Sequence, residues 1–211
     1  MALHGHSHRP AGIRFGFRRT GRTDGTAAAR TDGHTAAASA TVLARTLAGL
    51  RLLTAFTFLW AFFDKTFGWG YATQSGKGWI DGGSPTKGFL SHVAAGPMES
   101  TFHSWAGDTW ADWLFMLGLL GIGLALATGV ALRLAAVAGT ALMALMWAAE
   151  WPPARHLSDG ALSASSNPVI DYHVLYAAVL ITLAVACAGR TWGLGTLWER
   201  LPSVGRNRWL K

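Results

Sequence analysis

Hydrophobic positions in this chain fall into four long runs. The first is Thr46 to Phe67. The second is the 20 uncharged residues Trp113 to Leu132, the third the 16 residues Leu134 to Ala149, and the fourth the 18 residues Tyr172 to Gly189. A helix that crosses a bilayer needs about 20 apolar residues, with a range of about 17 to 25. The second and fourth runs meet this as they stand. The third is short, but Arg133 and Glu150 at its ends can snorkel to the interfaces. The first contains Arg51 and carries Asp64 and Lys65 near its far end. It must use these residues at its boundaries or pair them inside. Three runs carry small residues every fourth position: Gly121, Ala125 and Gly129; Ala136, Thr140, Ala144 and Ala148; Ala178, Thr182 and Ala186. Such rows let helices approach closely in lipid. The pattern predicts an all-α integral membrane protein, a four-helix bundle.

The polar segments give the domain plan. Residues 1–41 are rich in Gly, Ala, Thr and Arg and hold almost no large apolar side chain after Phe17. Such a segment cannot offset its ordering entropy by burial, so it is expected to be a disordered basic tail. No apolar stretch or cleavage site of the signal-peptide kind follows its basic residues. His4, His6 and His8 alternate and offer a weak metal site, with a solvated tail as the plainer reading. Residues 42–190 form the transmembrane domain, and 191–211 a basic tail. The first connection, about Gly68 to Gly107, is too long for a plain linker. Ser84-Pro85 predicts the start of a short helix ending near Gly96-Pro97, and Met98 to Trp105 predicts a second. These are expected to lie at the interface or re-enter the membrane. Asp108 is expected to cap the second span, and Asn167-Pro168 the fourth.

Composition agrees. Of 211 residues, 51% are hydrophobic and 14% charged, against about 25% charged in a soluble domain. Mean hydropathy is +0.27. A soluble globule and a disordered chain both fit poorly. The net charge of +7 is unevenly placed. Residues 1–51 hold eight Arg against two Asp, and residues 190–211 hold five basic residues against Glu199. With Arg133, one side of a four-span protein carries 14 of the 18 basic residues and the other side four. The positive-inside rule then places both termini in the cytoplasm, in the cell membrane. Arg residues flanking spans find a sufficient partner in anionic lipid, so nucleic acid is not implied. Trp69, Trp79, Trp105, Trp110, Trp113, Trp147 and Trp151 cluster toward the outer boundary, and Trp192, Trp198 and Trp209 toward the inner one, as in an aromatic belt.

The ionisable residues at the outer helix ends are the candidate site: Asp64 and Lys65 after the first span, Glu150 after the third, Asp171 and His173 at the start of the fourth. Asp171 suits a helix N-terminus, but Glu150 sits at the end where the macrodipole disfavours an acid. It therefore calls for a partner, with Lys65, Arg155 and His173 in range of such a bundle. Ionisable groups at membrane depth are functional candidates. Marking the interface is the alternative.

At these residues the chain resembles the DoxX/DoxD family of four-helix membrane proteins associated with thiosulfate:quinone oxidoreductase. RLLTAFTFLWAFFDKTFG at Arg51 to Gly68 resembles the family's first helix with its terminal lysine, here Lys65. GLLGIGLALATGVALRLAAVAG at Gly118 to Gly139 resembles its paired second and third helices. MALMWAAEWP and NPVIDYH resemble members with a long first outer loop. The likeness covers about residues 45 to 190. It implies a membrane subunit that passes electrons to quinone.

On that reading His173, with Asp171 or Glu150, donates to the quinone head group and relays protons, while Trp60, Phe63 and Trp147 line an apolar slot. The sequence carries no CxxC and no dinucleotide motif, and Cys187 is its single cysteine. His173 is the one histidine within a span. No haem, flavin or metal signature is evident, so a partner subunit or the substrate must deliver electrons. The alternative is a non-catalytic membrane scaffold or assembly partner of a redox or stress-response complex. A transporter is a weaker option that would need dimerisation.

Overall fold

The computed structural model describes residues 24–210. The chain divides into two compact units, residues 1–41 and 42–211. Residues 1–23, with the His4, His6 and His8 cluster, lie outside the described residues. Residues 24–41, expected without regular structure, belong instead to helix α1 (Asp24–Phe67). Their Ala-rich composition favours a helix once a nucleus exists.

The second unit is helical. Beyond α1, its short helices before α4 are α2 (Lys87–Leu90) and α3 (Glu99–Trp105). The long ones are α4 (Thr109–Thr128), α5 (Leu132–Glu150) and α6 (Tyr172–Val185). The C-terminal α7 (Gly195–Trp198) and α8 (Pro202–Arg206) are single turns. Among the described residues the extended pairing is one isolated bridge, His156 with Leu162. Three helices are long and apolar enough to cross a membrane: Ala36–Phe67, Thr109–Thr128 and Leu132–Glu150. At about 1.5 Å per residue α4 spans about 30 Å, the thickness of a hydrocarbon core, and α6 only about 21 Å. Leu114, Leu117, Leu124, Val137, Leu175 and Val185 stay exposed on these helices. In water such a surface would aggregate, so the apolar helices fit contact with a lipid bilayer.

Helix ends differ from the sequence expectation for a physical reason. The α4–α5 break was expected at Arg133. It falls earlier, where Gly129 adopts a left-handed conformation and its N–H bonds the carbonyls of Ala125 and Leu126. The fourth run was expected to continue to Gly189, but α6 stops at Val185 and Cys187 turns left-handed. Gly189 then lies against Gly129, where an added Cβ would fall on the Gly129 carbonyl. That contact is possible only for glycine.

The core joins Ala55 and Phe58 of α1, Met116, Leu119, Ile122 and Leu126 of α4, Ala135, Ala136 and Met143 of α5, and Leu180, Leu183 and Ala184 of α6. The α4 positions recur at helical spacing, as one buried stripe requires. The expected small-residue rows are only partly used. Ala136 is buried, but Gly121, Ala144, Ala178, Thr182 and Ala186 are exposed. Within the rows Gly129 makes a close approach, against Gly189, and outside them Gly123 approaches Leu59 and Gly139 approaches Leu180.

Arg51 closes the end at which α4 finishes. Its side chain is 0% exposed. It donates to the carbonyls of Leu126, Ala127 (3.1 Å), Thr191 (3.4 Å) and Trp192 (2.8 Å). The α4 C-terminus leaves carbonyls without helical partners and carries the negative end of the helix dipole. A guanidinium fork satisfies both.

The connections before α4 and after α5 fold onto the opposite end. Val93 and Phe102 pack with Ala149 of α5. Buried Asp112 accepts from Ser84 Oγ (2.8 Å), Thr86 N (3.0 Å) and Thr86 Oγ1 (2.6 Å). Ser84 Oγ in turn accepts from Lys87 N, but the helix expected to open at Ser84-Pro85 begins only at Lys87, with Thr86 in the cap position. The helix expected to reach Gly96 is one turn long. Ser158 Oγ donates to Ala94 O and Glu99 Oε2, which ties the two outer connections together.

Candidate functional site

The site forms where α5 ends and α6 begins. Trp147 Nε1 donates to Val169 O at 2.9 Å, and Asn167 Oδ1 accepts from the amides of Val169 and Ile170. Asn167 thus turns the approaching loop rather than capping α6. The cap is Asp171, whose Oδ1 accepts from the amides of His173 (3.0 Å) and Val174 (3.2 Å). Its other oxygen, Oδ2, lies 2.8 Å from His173 Nδ1. A carboxylate only accepts, so Nδ1 carries the proton. Burial raises the Asp171 carboxyl pKa, but the His173 and Val174 hydrogen bonds outweigh it and hold the group below its ordinary value.

His173 is 1% exposed, and its Nε2 has no partner. Glu150 Oε2 lies 4.0 Å from His173 Nδ1. Glu150 Oε1 accepts a hydrogen bond from the Tyr172 hydroxyl. The partner demanded by Glu150 is thus Tyr172, with His173 beside it, and not Lys65 or Arg155. Glu150, Asp171 and Tyr172 border a cleft of about 720 Å³ that Phe89, His92 and Ser165 also line. Binding clefts are commonly about 300–1,000 Å³.

Asp64 and Lys65 serve elsewhere. Asp64 is buried and accepts from the amides of Tyr71 (3.3 Å) and Thr73 (2.8 Å), which folds the chain back after α1. The Lys65 ammonium sits 5.8 Å from the centre of the Phe115 ring. Among the described residues no hydrogen bond or ion pair joins either to Glu150, Asp171 or His173. Of the expected slot residues, Trp60 and Phe63 share one aromatic cluster around Trp69, and Trp147 has a different ring partner. Trp60 packs on Phe56, Trp69 and Tyr71, and Phe63 on Phe67 and Trp69. Trp147 pairs with Trp151 at 5.5 Å. Sequence reasoning missed Tyr172 and Asp112. Tyr172 was visible only as the residue between Asp171 and His173. Asp112 had no local signal, because its partners are 26 and 28 residues away.

Comparison with family models, with curated proteins and with solved structures finds no match.

Proposed function

We propose that the protein is the membrane subunit of a quinone-linked oxidoreductase, of the thiosulfate:quinone oxidoreductase kind, with the quinone head group held at the outer helix ends. In this reading α1, α4, α5 and the shorter α6 form a DoxX-like four-helix bundle in the cell membrane, with both termini cytoplasmic. A partner subunit delivers the electrons. The observation that carries the proposal is His173: a buried imidazole tied to a carboxylate through Nδ1, with an unpartnered Nε2. An unpaired buried polar atom is costly. A quinol hydroxyl would donate to that nitrogen, and a protonated imidazole would donate to a quinone carbonyl. Asp171 holds the ring, and the cleft beside Glu150 links the pair to the outer side.

The exposed row Ala178, Thr182 and Ala186 favours a second reading, a scaffold whose α6 packs on another membrane helix. One experiment separates the two. Lipid extracts of detergent-purified protein are analysed for quinone, and a soluble ubiquinone or menaquinone analogue is titrated against wild type and His173→Ala. The quinone reading expects saturable binding that weakens at least about tenfold in the variant, the loss of about one charge-assisted hydrogen bond. Absence of binding to the wild type overturns it.

A further inference from the structure

We infer that Glu150, Asp171 and His173 form a binding site for one divalent transition-metal cation, open toward the outer cleft. The presentation of each ligand atom points to this site independently of any quinone. The three side chains can offer ligand atoms that all lie within 4.8 Å of one another. One oxygen of each carboxylate is held from outside the trio, while Asp171 Oδ2 accepts from His173 Nδ1, a bond that a cation would replace. Glu150 Oε1 is bound by the Tyr172 hydroxyl, and Asp171 Oδ1 by two backbone amides. The second oxygen of each, Glu150 Oε2 and Asp171 Oδ2, is the one nearest His173 Nδ1, at 4.0 and 2.8 Å. Ligating carboxylates are characteristically steadied by such outer hydrogen bonds.

Charge points the same way. Glu150 ends α5, where the dipole disfavours negative charge, and it meets a second acid, Asp171, at the N-terminus of α6. Among the described residues no lysine or arginine forms an ion pair with either. The buried imidazole is the independent observation. It is 1% exposed, and its Nδ1 faces both carboxylates, 2.8 Å from Asp171 Oδ2 and 4.0 Å from Glu150 Oε2. A cation on Nδ1 shifts the ring to its Nε2–H tautomer. Two carboxylate oxygens and one imidazole nitrogen suit Mn²⁺, Fe²⁺ or Zn²⁺ better than soft ions. Three protein ligands beside a cleft leave positions for water, as open sites do. The sequence carries no motif for this set, because Glu150 joins the Asp171–His173 pair only through the fold.

The test uses the full chain in detergent, stripped with a chelator and titrated with Mn²⁺ followed by electron paramagnetic resonance, then with competing Zn²⁺. His4, His6 and His8 are replaced by Ala throughout to remove the tail as a competitor. One equivalent is expected to bind, with affinity reduced at least about tenfold in both Glu150→Gln and Asp171→Asn, and by a smaller factor in Tyr172→Phe. Asn preserves the helix cap and Glu150 is exposed, so both variants should fold. Absence of saturable binding, or binding unchanged in both carboxylate variants, overturns the inference. No quinone is present, so this outcome is separate from the fate of the quinone reading.

Discussion

The guanidinium of Arg51 donates to the carbonyl of Trp192 at 2.8 Å across 141 positions of sequence. The same side chain holds the last carbonyls of α4, so one buried cation ties the first helix, the α4 end and the start of the C-terminal segment. Arg51→Met should leave buried carbonyls unpaired and lower stability by on the order of 3 kcal/mol. Arg51→Lys should recover only part of this, because an ammonium cannot bridge two strands of carbonyls as a planar fork does. Thermal unfolding in detergent checks both. Equal stability of wild type and Arg51→Met would remove Arg51 as the clasp.

The glycine pair next to that clasp makes a sharper prediction. An added Cβ at Gly189 would fall on the Gly129 carbonyl oxygen and meet Gly129 C at 2.8 Å and Gly129 Cα at 3.1 Å. Gly189→Ala should therefore destabilise by about 1–3 kcal/mol, the usual cost of overpacking. Gly121→Ala, with nothing within 4 Å of the new Cβ, serves as the control and should be neutral or mildly stabilising. Paired melting curves decide the matter.

Asp112 anchors the first outer connection through three donors on Ser84 and Thr86. Asp112→Ala should cost about 1–3 kcal/mol locally and free the segment around α2. Hydrogen exchange should then rise over residues 84–92 while the α4 amides stay protected. Unchanged exchange there would show that the loop is held by other contacts.

Asp64 predicts a similar local effect and no effect on the site. Asp64→Ala should speed amide exchange at Tyr71 and Thr73, whose N–H groups lose their acceptor. Cation binding at Glu150, Asp171 and His173 should stay as in wild type. A loss of that binding would mean that the end of α1 and the site are coupled.

Apolar runs made three long helices legible, because a spanning helix must be apolar throughout. They did not mark where the helices end. Charges in the sequence report the interface, whereas Gly129 and Cys187 set the turns through left-handed backbone. The polar helix ends were legible as candidates, but not their grouping. Asp64 looks like Asp171 in sequence. Its carboxylate is taken up by local amides, while Asp171 keeps one oxygen for His173. The Glu150–Tyr172 bond joins positions 22 apart and depends on how α5 and α6 meet. The small-residue rows misdirected because a period of four drifts around a helix of 3.6 residues per turn. Of the row members Gly129 makes a close contact, against Gly189, whereas Gly123 and Gly139 do so from outside the rows.

The central claim is that a quinone head group binds beside His173 at the outer ends of α5 and α6. Photolabelling with an azido-quinone, followed by peptide mapping, tests it most directly. The account predicts labelling in the peptides around residues 143–151 and 169–177, suppressed by excess unlabelled quinone and strongly reduced in His173→Ala. Labelling confined to other helices, or unaffected by the competitor and by the substitution, would contradict it.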